Sequence, residues 1–460
     1  MKLTFYGGAK EITGANYLLE NNNLEYLGRS SRILVDCGLS QGSDYCERRN
    51  FEKFPYDPKS IEAVFITHAH IDHIGRLPKL YKDGFRGKIF STPPTKDFSY
   101  ELLIDSEDIL TREAKEKNLN PMYSRQDVDN LMKLWEVYDY HQKFRVGDFS
   151  IEFFNAGHIM GSAFIVIEGE GKKIVFSGDL GNTLASLISP IDLTESIKAD
   201  YALIESAYGG RIHEDAEKRK DILEDLIEDT VKKGGTLLIP AFAMERTQEL
   251  LYELNELVEN GRIPKIPIFL DSPLAINLTK VYKNYINNKR YFNKEAFEAT
   301  KEDKEIFDFP GLKMVLSHRQ SEEIDQIKSP KVIIAGAGMS QGGRIVRHEY
   351  HFLPDPNSAI LFVGFQVKGS LGRKILDGEK TVKIFNKEIP VRARKEFISG
   401  YSAHADQRML LDWLKPMRTT LKKVFIVQGE EEQMIPLAQK IRDELAIETI
   451  IPSLDEKVML

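Results

Sequence analysis

Three histidines and an aspartate fall within six residues at His68-Ala69-His70-Ile71-Asp72-His73, one residue after the apolar run Glu62-Ala63-Val64-Phe65-Ile66. Imidazole and carboxylate are the ligands zinc takes in open, hydrolytic sites, and a loop at a strand end can aim alternate side chains at one point. A polar loop with incidental histidines is the bland alternative, and the density of ligand types argues against it. The chain must therefore fold so that a strand carries this loop to a shared edge. Other short apolar runs fit that demand: Ser31-Arg32-Ile33-Leu34-Val35 before Asp36, Lys173-Ile174-Val175-Phe176 before Ser177, Ala202-Leu203-Ile204 before Glu205, and Lys423-Val424-Phe425-Ile426-Val427 before Gln428. They read as buried strands whose ends deliver polar residues to one edge.

Between them lie charge-laced segments with apolar residues at helical spacing, such as Glu214 to Lys232 and Gln248 to Glu259. The middle of the chain has its own strand and helix alternation, with strands expected at Thr236 to Ile239, Ile266 to Leu270, Lys331 to Ile334 and Ala359 to Val363. Strands separated by helices favour a parallel sheet. A length of 460 residues also exceeds what one hydrophobic core usually spans. The expected organisation is a first lobe over residues 1–207, an inserted α/β domain over 208–390, and a return to the first lobe over 391–460. No repeat period and no proline-rich or glycine-serine linker interrupts it, so the insert is expected to dock closely.

The N-terminus turns glycine-rich at Gly7-Gly8 before any apolar stretch develops, so neither a signal peptide nor a membrane span is expected, and the cytoplasm is the expected location. Two cysteines, Cys37 and Cys46, fit a reducing compartment as inert thiols and exclude a cysteine-rich zinc module. A net charge of −7 argues against an electrostatic sponge for nucleic acid, while leaving room for a local basic groove.

His158, in Ala156-Gly157-His158-Ile159-Met160-Gly161-Ser162, and Asp179, in Ser177-Gly178-Asp179-Leu180-Gly181, are flanked by glycines that let the backbone approach closely. Either residue alone would read as part of a turn. Beside the histidine cluster they read as ligands, with Asp179 the natural carboxylate bridge of a two-metal site.

Taken in order, Asp36, the His68 to His73 signature, His158 and Asp179 match the motifs of the metallo-β-lactamase superfamily. Glu205 in Glu205-Ser206-Ala207-Tyr208-Gly209 and His404 in Ser402-Ala403-His404-Ala405-Asp406 resemble its β-CASP branch. That branch includes the nuclease subunit of the mRNA 3′-end cleavage and polyadenylation machinery and its prokaryotic relatives. The resemblance implies an α/β fold, a metallo-β-lactamase αββα sandwich with an inserted α/β β-CASP domain. It implies two zinc ions, one held by His68, His70 and His158, the other by Asp72 and His73, with Asp179 between them and Asp36 orienting ligands behind. His404, Glu205 and Asp72 would be the catalytic residues: His404 protonates the leaving oxygen or steadies the phosphate, and Glu205 orients its ring.

The departure from the pattern is Gln428, in Val427-Gln428-Gly429-Glu430, where RNA-cleaving members carry a histidine ligand. A neutral amide oxygen is a weak zinc ligand beside an imidazole, so the second site is expected to be weak, empty or filled by a harder ion such as manganese. Gln428 also removes the simplest marker of RNA against DNA, so DNA is not excluded. A further segment, Ala335-Gly336-Ala337-Gly338-Met339-Ser340-Gln341-Gly342-Gly343-Arg344, offers backbone amides and an arginine for a phosphate, with Ser340, Gly342, Gly343 and Arg344 as candidate contacts. It fails as a dinucleotide fingerprint and has no Walker lysine, and a ligand-free strand-to-helix turn is an equal reading. Arg246, Ser272 and Arg373 are weaker candidates for the same lining.

The expected function is hydrolysis of RNA phosphodiester bonds in RNA processing or decay, with single-stranded RNA as partner, no membrane, and a homodimer left open. Two other classes compete. A non-catalytic or weakly active RNA-binding subunit would follow from Gln428, and a small ester or thioester hydrolase could use the same metal site.

Overall fold

The computed structural model describes residues 1–21, 31–42, 44–182, 185–213, 218–302, 305–364, 366–367 and 369–460. The chain divides into two compact units, one of Met1–Thr183, Pro190–Ile212 and His404–Leu460, the other of Leu184–Ser189 and His213–Ala403.

The first unit is built on two seven-stranded sheets. One runs, in order across the sheet, Lys457–Met459, Lys2–Gly7, Asn16–Asn21, Ser31–Val35, Ala63–Phe65, Lys88–Ser91 and Trp135–Val137. The other runs Glu448–Ile450, Lys423–Ile426, Tyr201–Ile204, Lys172–Phe176, Ala163–Gly169, Phe149–Asn155 and Phe144–Val146. Side chains alternate between the faces of each strand. Inward residues join the sheets, as in Phe5 with Phe425 at 5.5 Å and Tyr17 with Phe176 at 6.2 Å between ring centroids. On the outer face of the first sheet, Leu18, Leu34, Val64 and Ile89 pack with Leu77, Leu80 and Leu103 from the helices Leu77–Lys82 and Pro93–Glu116. On the outer face of the second, Val175, Ala202 and Val424 pack with Leu410, Leu414, Met434 and Leu437 from the helices Gln407–Leu414 and Glu431–Lys440. Each of the valine, leucine, isoleucine and methionine side chains among them, fully buried, is worth about 1.5–3 kcal/mol. Four layers, αββα, result.

Within this unit the strands that carry polar residues at their ends are parallel neighbours. Lys172–Phe176 pairs with Tyr201–Ile204, which pairs with Lys423–Ile426, and Ser31–Val35 pairs with Ala63–Phe65. Parallel pairing puts the carboxyl ends of neighbours on one edge. All five runs expected as strands in this lobe are strands.

The second unit has a six-stranded sheet in the order Leu312–Met314, Ile268–Asp271, Lys331–Ala335, Thr236–Pro240, Ala359–Phe362, Arg394–Phe397, with every pairing parallel. Its central strands are buried throughout, which is why they read as unbroken apolar runs. The helix expected from Gln248 spans Arg246–Glu259. Of the segment Glu214 to Lys232, residues 214–217 lie outside the described residues and the rest includes the helix Arg219–Lys232. Beyond residue 390, Arg394–Phe397 pairs with Ala359–Phe362 and extends this sheet, and the compact unit runs through Ala403. The strand is short and three of its four residues are charged, so no apolar run marked it. Residues 185–189 also belong here, tied by Asn293 N–H donating to Leu187 O at 3.0 Å. Among the described residues no helix is long and apolar enough to cross a membrane.

Candidate metal centre

The residues that the sequence singled out in the first unit converge. Thr67 and His68 follow the strand Ala63–Phe65, Asp179 follows Lys172–Phe176, Glu205 follows Tyr201–Ile204, and Gln428 follows Lys423–Ile426. His158 sits in the turn after Phe149–Asn155, where its backbone N–H donates to Ser162 Oγ at 3.0 Å. The approach of that turn to the Asp179 loop needs Gly181: a Cβ there would lie 1.7 Å from Gly157 O. His404 joins from the chain leading into the helix Gln407–Leu414, whose N-cap is Asp406, and Ala405 N–H donates to Leu180 O at 2.7 Å.

His68 Nε2 and His70 Nδ1 are 3.0 Å apart, and His158 Nε2 and His70 Nδ1 3.2 Å apart. Asp179 Oδ2 lies 3.4 Å from His68 Nε2 and 3.6 Å from His158 Nε2. Burial holds His68 below the ordinary imidazole value and His70 and His158 well below it, so all three are neutral with lone pairs available, the state in which imidazole binds a metal. Burial opposes the charge of Asp179, yet His73 and His68 hold its carboxyl well below the usual range.

These four side chains, His68, His70, His158 and Asp179, form a group whose ligand atoms all lie within 4.8 Å of one another. A tetrahedral zinc with bonds of about 2.0–2.1 Å needs ligand atoms roughly 3.3–3.4 Å apart, and the measured spacings bracket that. The donor set therefore fits a divalent ion. A second group within the same limit, Asp179, Glu205 and His404, shares Asp179 with the first. Asp72 and His73 belong to neither.

His73 is placed otherwise. Its Nδ1 lies 2.7 Å from Asp36 Oδ2, and Asp36 in turn accepts from Thr67 N–H and Thr67 Oγ1, both at 2.8 Å. Its Nε2 lies 3.4 Å from Asp179 Oδ1 and 3.8 Å from Asp72 Oδ2. Burial opposes its protonation, but Asp179, Asp36 and Asp72 together raise it well above the ordinary value, and a bound cation would supply the same counter-charge. The Gln428 amide completes this side: Nε2 donates to Asp179 Oδ1 at 2.8 Å and lies 3.0 Å from His73 Nε2, and Tyr17 Oη donates to Oε1 at 3.4 Å.

Glu205 is fully buried. Its Oε1 accepts from Leu180 N–H at 2.6 Å and its Oε2 from Ala207 N–H at 3.3 Å, and both oxygens lie 3.2 Å from His404 Nδ1. Burial works against a charged His404, but Glu205 outweighs it and pushes the imidazole up to about 9. His404 Nδ1 is 4.0 Å from Asp179 Oδ2, so this dyad borders the histidine cluster.

In the glycine-rich segment of the second unit, for which a phosphate cradle and a ligand-free turn were equal readings, the side chains have partners within the fold. Arg344, the expected phosphate-binding cation, donates through Nη1 to Asp271 Oδ1 at 2.7 Å and to Val315 O at 3.1 Å, and through Nη2 to Leu316 O at 2.8 Å. Ser340 Oγ donates to Glu349 Oε1. Gly342 faces open space, and Gly343 turns with a positive φ against the backbone of Gly336. The segment is thus a braced strand-to-helix turn. The three weaker candidates also have ordinary roles: Arg246 pairs with Glu249, Ser272 accepts from Ala275 N–H as a helix cap, and Arg373 pairs with Asp377 at 2.9 Å. Sequence reasoning missed Thr67, which buttresses Asp36, and Tyr17, which touches Gln428. Thr67 read only as a strand terminus, and Tyr17 stands 411 residues from its partner, where no local pattern could signal it.

The sequence matches three family descriptions along its length: the metallo-beta-lactamase superfamily over residues 17–231, the Beta-Casp domain over 247–375, and the Zn-dependent metallo-hydrolase RNA specificity domain over 388–452. It is 37% identical to Ribonuclease TTHA0252 of Thermus thermophilus across 95% of each chain. It is 31% identical to the RNase J-like protein of Methanocaldococcus jannaschii, covering 98% of this chain and 97% of that one. Transcription termination factor FttA of Methanosarcina mazei is 32% identical, with 98% of this chain and 70% of the relative covered. In fold, a crystal structure of a protein of unknown function from Enterococcus faecalis V583 matches over 100% of this chain and 99% of that one, with a TM-score of 0.57 at 13% identity. With a buried histidine and aspartate cluster at the edge of an αββα sandwich and an inserted parallel α/β unit, the chain belongs to the β-CASP branch of the metallo-β-lactamase superfamily.

Proposed function

We propose that the chain is a metal-dependent ribonuclease that hydrolyses phosphodiester bonds of single-stranded RNA. The observation that carries this reading is the sharing of Asp179 between two groups: the His68, His70 and His158 cluster on one side, and the Glu205 and His404 dyad on the other. A divalent ion held by the four donors supplies Lewis acidity toward the phosphoryl oxygens and lowers the pKa of water beside it. Zinc suits the three imidazoles and one carboxylate.

The residues of the chain supply the rest. Glu205, itself fixed by Leu180 and Ala207 N–H groups, takes Nδ1–H of His404 and so orients the ring. The ring's other nitrogen, Nε2, then delivers a proton to the departing ribose oxygen, a transfer suited to an imidazole kept charged at neutral pH. Asp36 and Thr67 fix His73 from behind. The buried donors favour a flexible strand, because a base-paired helix holds its phosphates on a rigid cylinder. Two relatives named as ribonucleases support RNA as substrate. The binding-only alternative drew its support from Gln428, which is outside the four-donor cluster. A free, buried Cys37 agrees with a reducing, cytoplasmic setting.

The test is cleavage of an end-labelled single-stranded RNA by protein stripped with chelator and then given zinc or manganese. Activity should vanish on stripping, return with the ion, and stay absent in Asp179→Ala. Cleavage by a verified metal-free Asp179→Ala protein would refute the reading, and faster turnover of a thioester than of RNA would replace its substrate class.

A further inference from the structure

We infer that the centre holds one divalent ion and that the Gln428 carboxamide occupies the place of a second. This rests on the metal-hydrolase reading above, and departs from the two ions that the family resemblance implied.

Asp179 has two carboxylate oxygens with different company. Oδ2 faces the two neutral imidazoles of His68 and His158, 3.4 Å and 3.6 Å away. Oδ1 faces Gln428 Nε2 at 2.8 Å. An ionised carboxylate only accepts hydrogen bonds, so the amide group turned to it is the NH2 end. Tyr17 Oη, donating to Oε1 at 3.4 Å, holds the other end. The second proton of the amide points to His73 Nε2, 3.0 Å away. The ring's other nitrogen, Nδ1, lies 2.7 Å from Asp36 Oδ2. Asp179 Oδ1 and His73 Nε2 are two atoms a second ion would need, and the Gln428 NH2 group stands against both, at 2.8 Å and 3.0 Å.

The backbone makes this position firm. Gln428 is buried and adopts a left-handed conformation, with φ of 51°. Its N–H donates to Gly8 O at 2.7 Å, and its carbonyl accepts from Ser206 N–H at 3.3 Å. Gly8 is required, since a Cβ there would lie 2.4 Å from Tyr17 Oη and 3.2 Å from Gln428 Cγ. Two strands and their loops thus aim the amide at Asp179. Asp72, the remaining expected ligand of a second ion, lies outside both ligand groups.

The experiment counts ions rather than turnover. Wild-type protein, stripped and then dialysed against excess zinc, is weighed by native mass spectrometry; a parallel sample loaded with manganese is examined by electron paramagnetic resonance for coupling between paired ions. One zinc per chain and an uncoupled manganese signal are expected for wild type. Gln428→His, which removes the NH2 donor and offers an imidazole, should raise the count from one to two and bring the coupled signal. Gln428→Glu, with a carboxylate of the same length, should do the same and covers the case in which the histidine disturbs folding. Two tightly held zinc ions in wild type would overturn the inference while leaving the hydrolase reading intact. So would a count that stays at one in both variants. No bound ion in wild type would overturn both readings together.

Discussion

His404 Nδ1 sits equidistant from the two oxygens of Glu205, 3.2 Å from each, although 199 residues separate them in the chain. The carboxylate is itself anchored by Leu180 and Ala207 N–H groups, so the imidazole is positioned by a fixed partner. Under the ribonuclease reading the two act as a unit, and groups that act as a unit are strongly non-additive when removed. His404→Gln should lower single-turnover cleavage by roughly 10²–10³-fold, consistent with loss of a positioned acid. Glu205→Gln should cost somewhat less, and the double variant no more than His404→Gln alone. Rates measured at equal metal content check this; a double variant whose loss is the product of the single losses would separate the two roles.

The ion should stabilise as well as catalyse. Three buried imidazoles with nitrogen atoms 3.0–3.2 Å apart cannot all find proton donors among themselves, so without a cation some lone pairs face each other. A ligand that binds only the folded chain adds RT ln(1 + [L]/Kd), about 4 kcal/mol at a thousandfold excess over Kd. Stripping wild type should therefore lower its thermal midpoint by several degrees, reversibly, and the same treatment should leave Asp179→Ala unmoved. Calorimetry with and without zinc measures both; a midpoint of wild type indifferent to zinc would contradict the proposed four-donor site.

How much of this was legible in the sequence follows from what is local. The His68 to His73 cluster is a single strand-end loop, and Asp36, Asp179, Glu205 and Gln428 each end an apolar run, so a reader of strands finds them. Parallel pairing then collects them at one edge without further information. The state of Gln428 was not legible, because whether an amide ligates or hydrogen-bonds depends on Tyr17 and Gly8, far away in the chain. The strand Arg394–Phe397 was not legible because it is charged and short, an edge strand recognised only through its partner. Which of the two readings of Arg344 holds was not legible for a related reason: a glycine-rich turn with an arginine suits an anion, but in the fold a fully buried carboxylate, Asp271, pairs with the guanidinium.

That claim on Arg344 makes a prediction opposite to a phosphate-binding role. Arg344 and His348 both address Asp271, and Ser321 Oγ donates to it as well. Removing one partner of a buried ion pair typically costs about 3–5 kcal/mol because the other charge is left stranded. Arg344→Ala should sharply lower the thermal midpoint and leave the RNA affinity of the folded protein within about twofold, as read by fluorescence anisotropy. Arg344→Lys should recover little, since a lysine cannot reproduce the fork that spans Asp271, Val315 and Leu316. Unchanged stability with strongly weakened RNA binding would restore the phosphate role.

Glu349, on the helix that follows the same turn, predicts a pH dependence. It is fully buried, its Oε1 accepts from Ser340 Oγ, and its Oε2 has no hydrogen-bond partner among the described residues. Burial pushes the carboxyl up from an ordinary 4.5 to about 8, against the smaller pull of Ser340 and His348. The folded chain therefore holds a proton at pH 7 that the unfolded chain has released. A raised carboxyl of this kind contributes its full stability below 4.5 and loses it progressively until pH 8, where the charge must be buried. The loss is on the order of a few kcal/mol. His348 titrates in the same direction: burial opposes its charge, but Asp271 and Asp325 raise it, so some slope survives without Glu349. Glu349→Gln keeps the shape and the contact to Ser340 while never charging. Its thermal midpoint should fall less than that of wild type between pH 5 and pH 8, with the two proteins closest at pH 5; equal slopes would mean that Glu349 is ionised in the folded chain and that its environment supplies the missing partner.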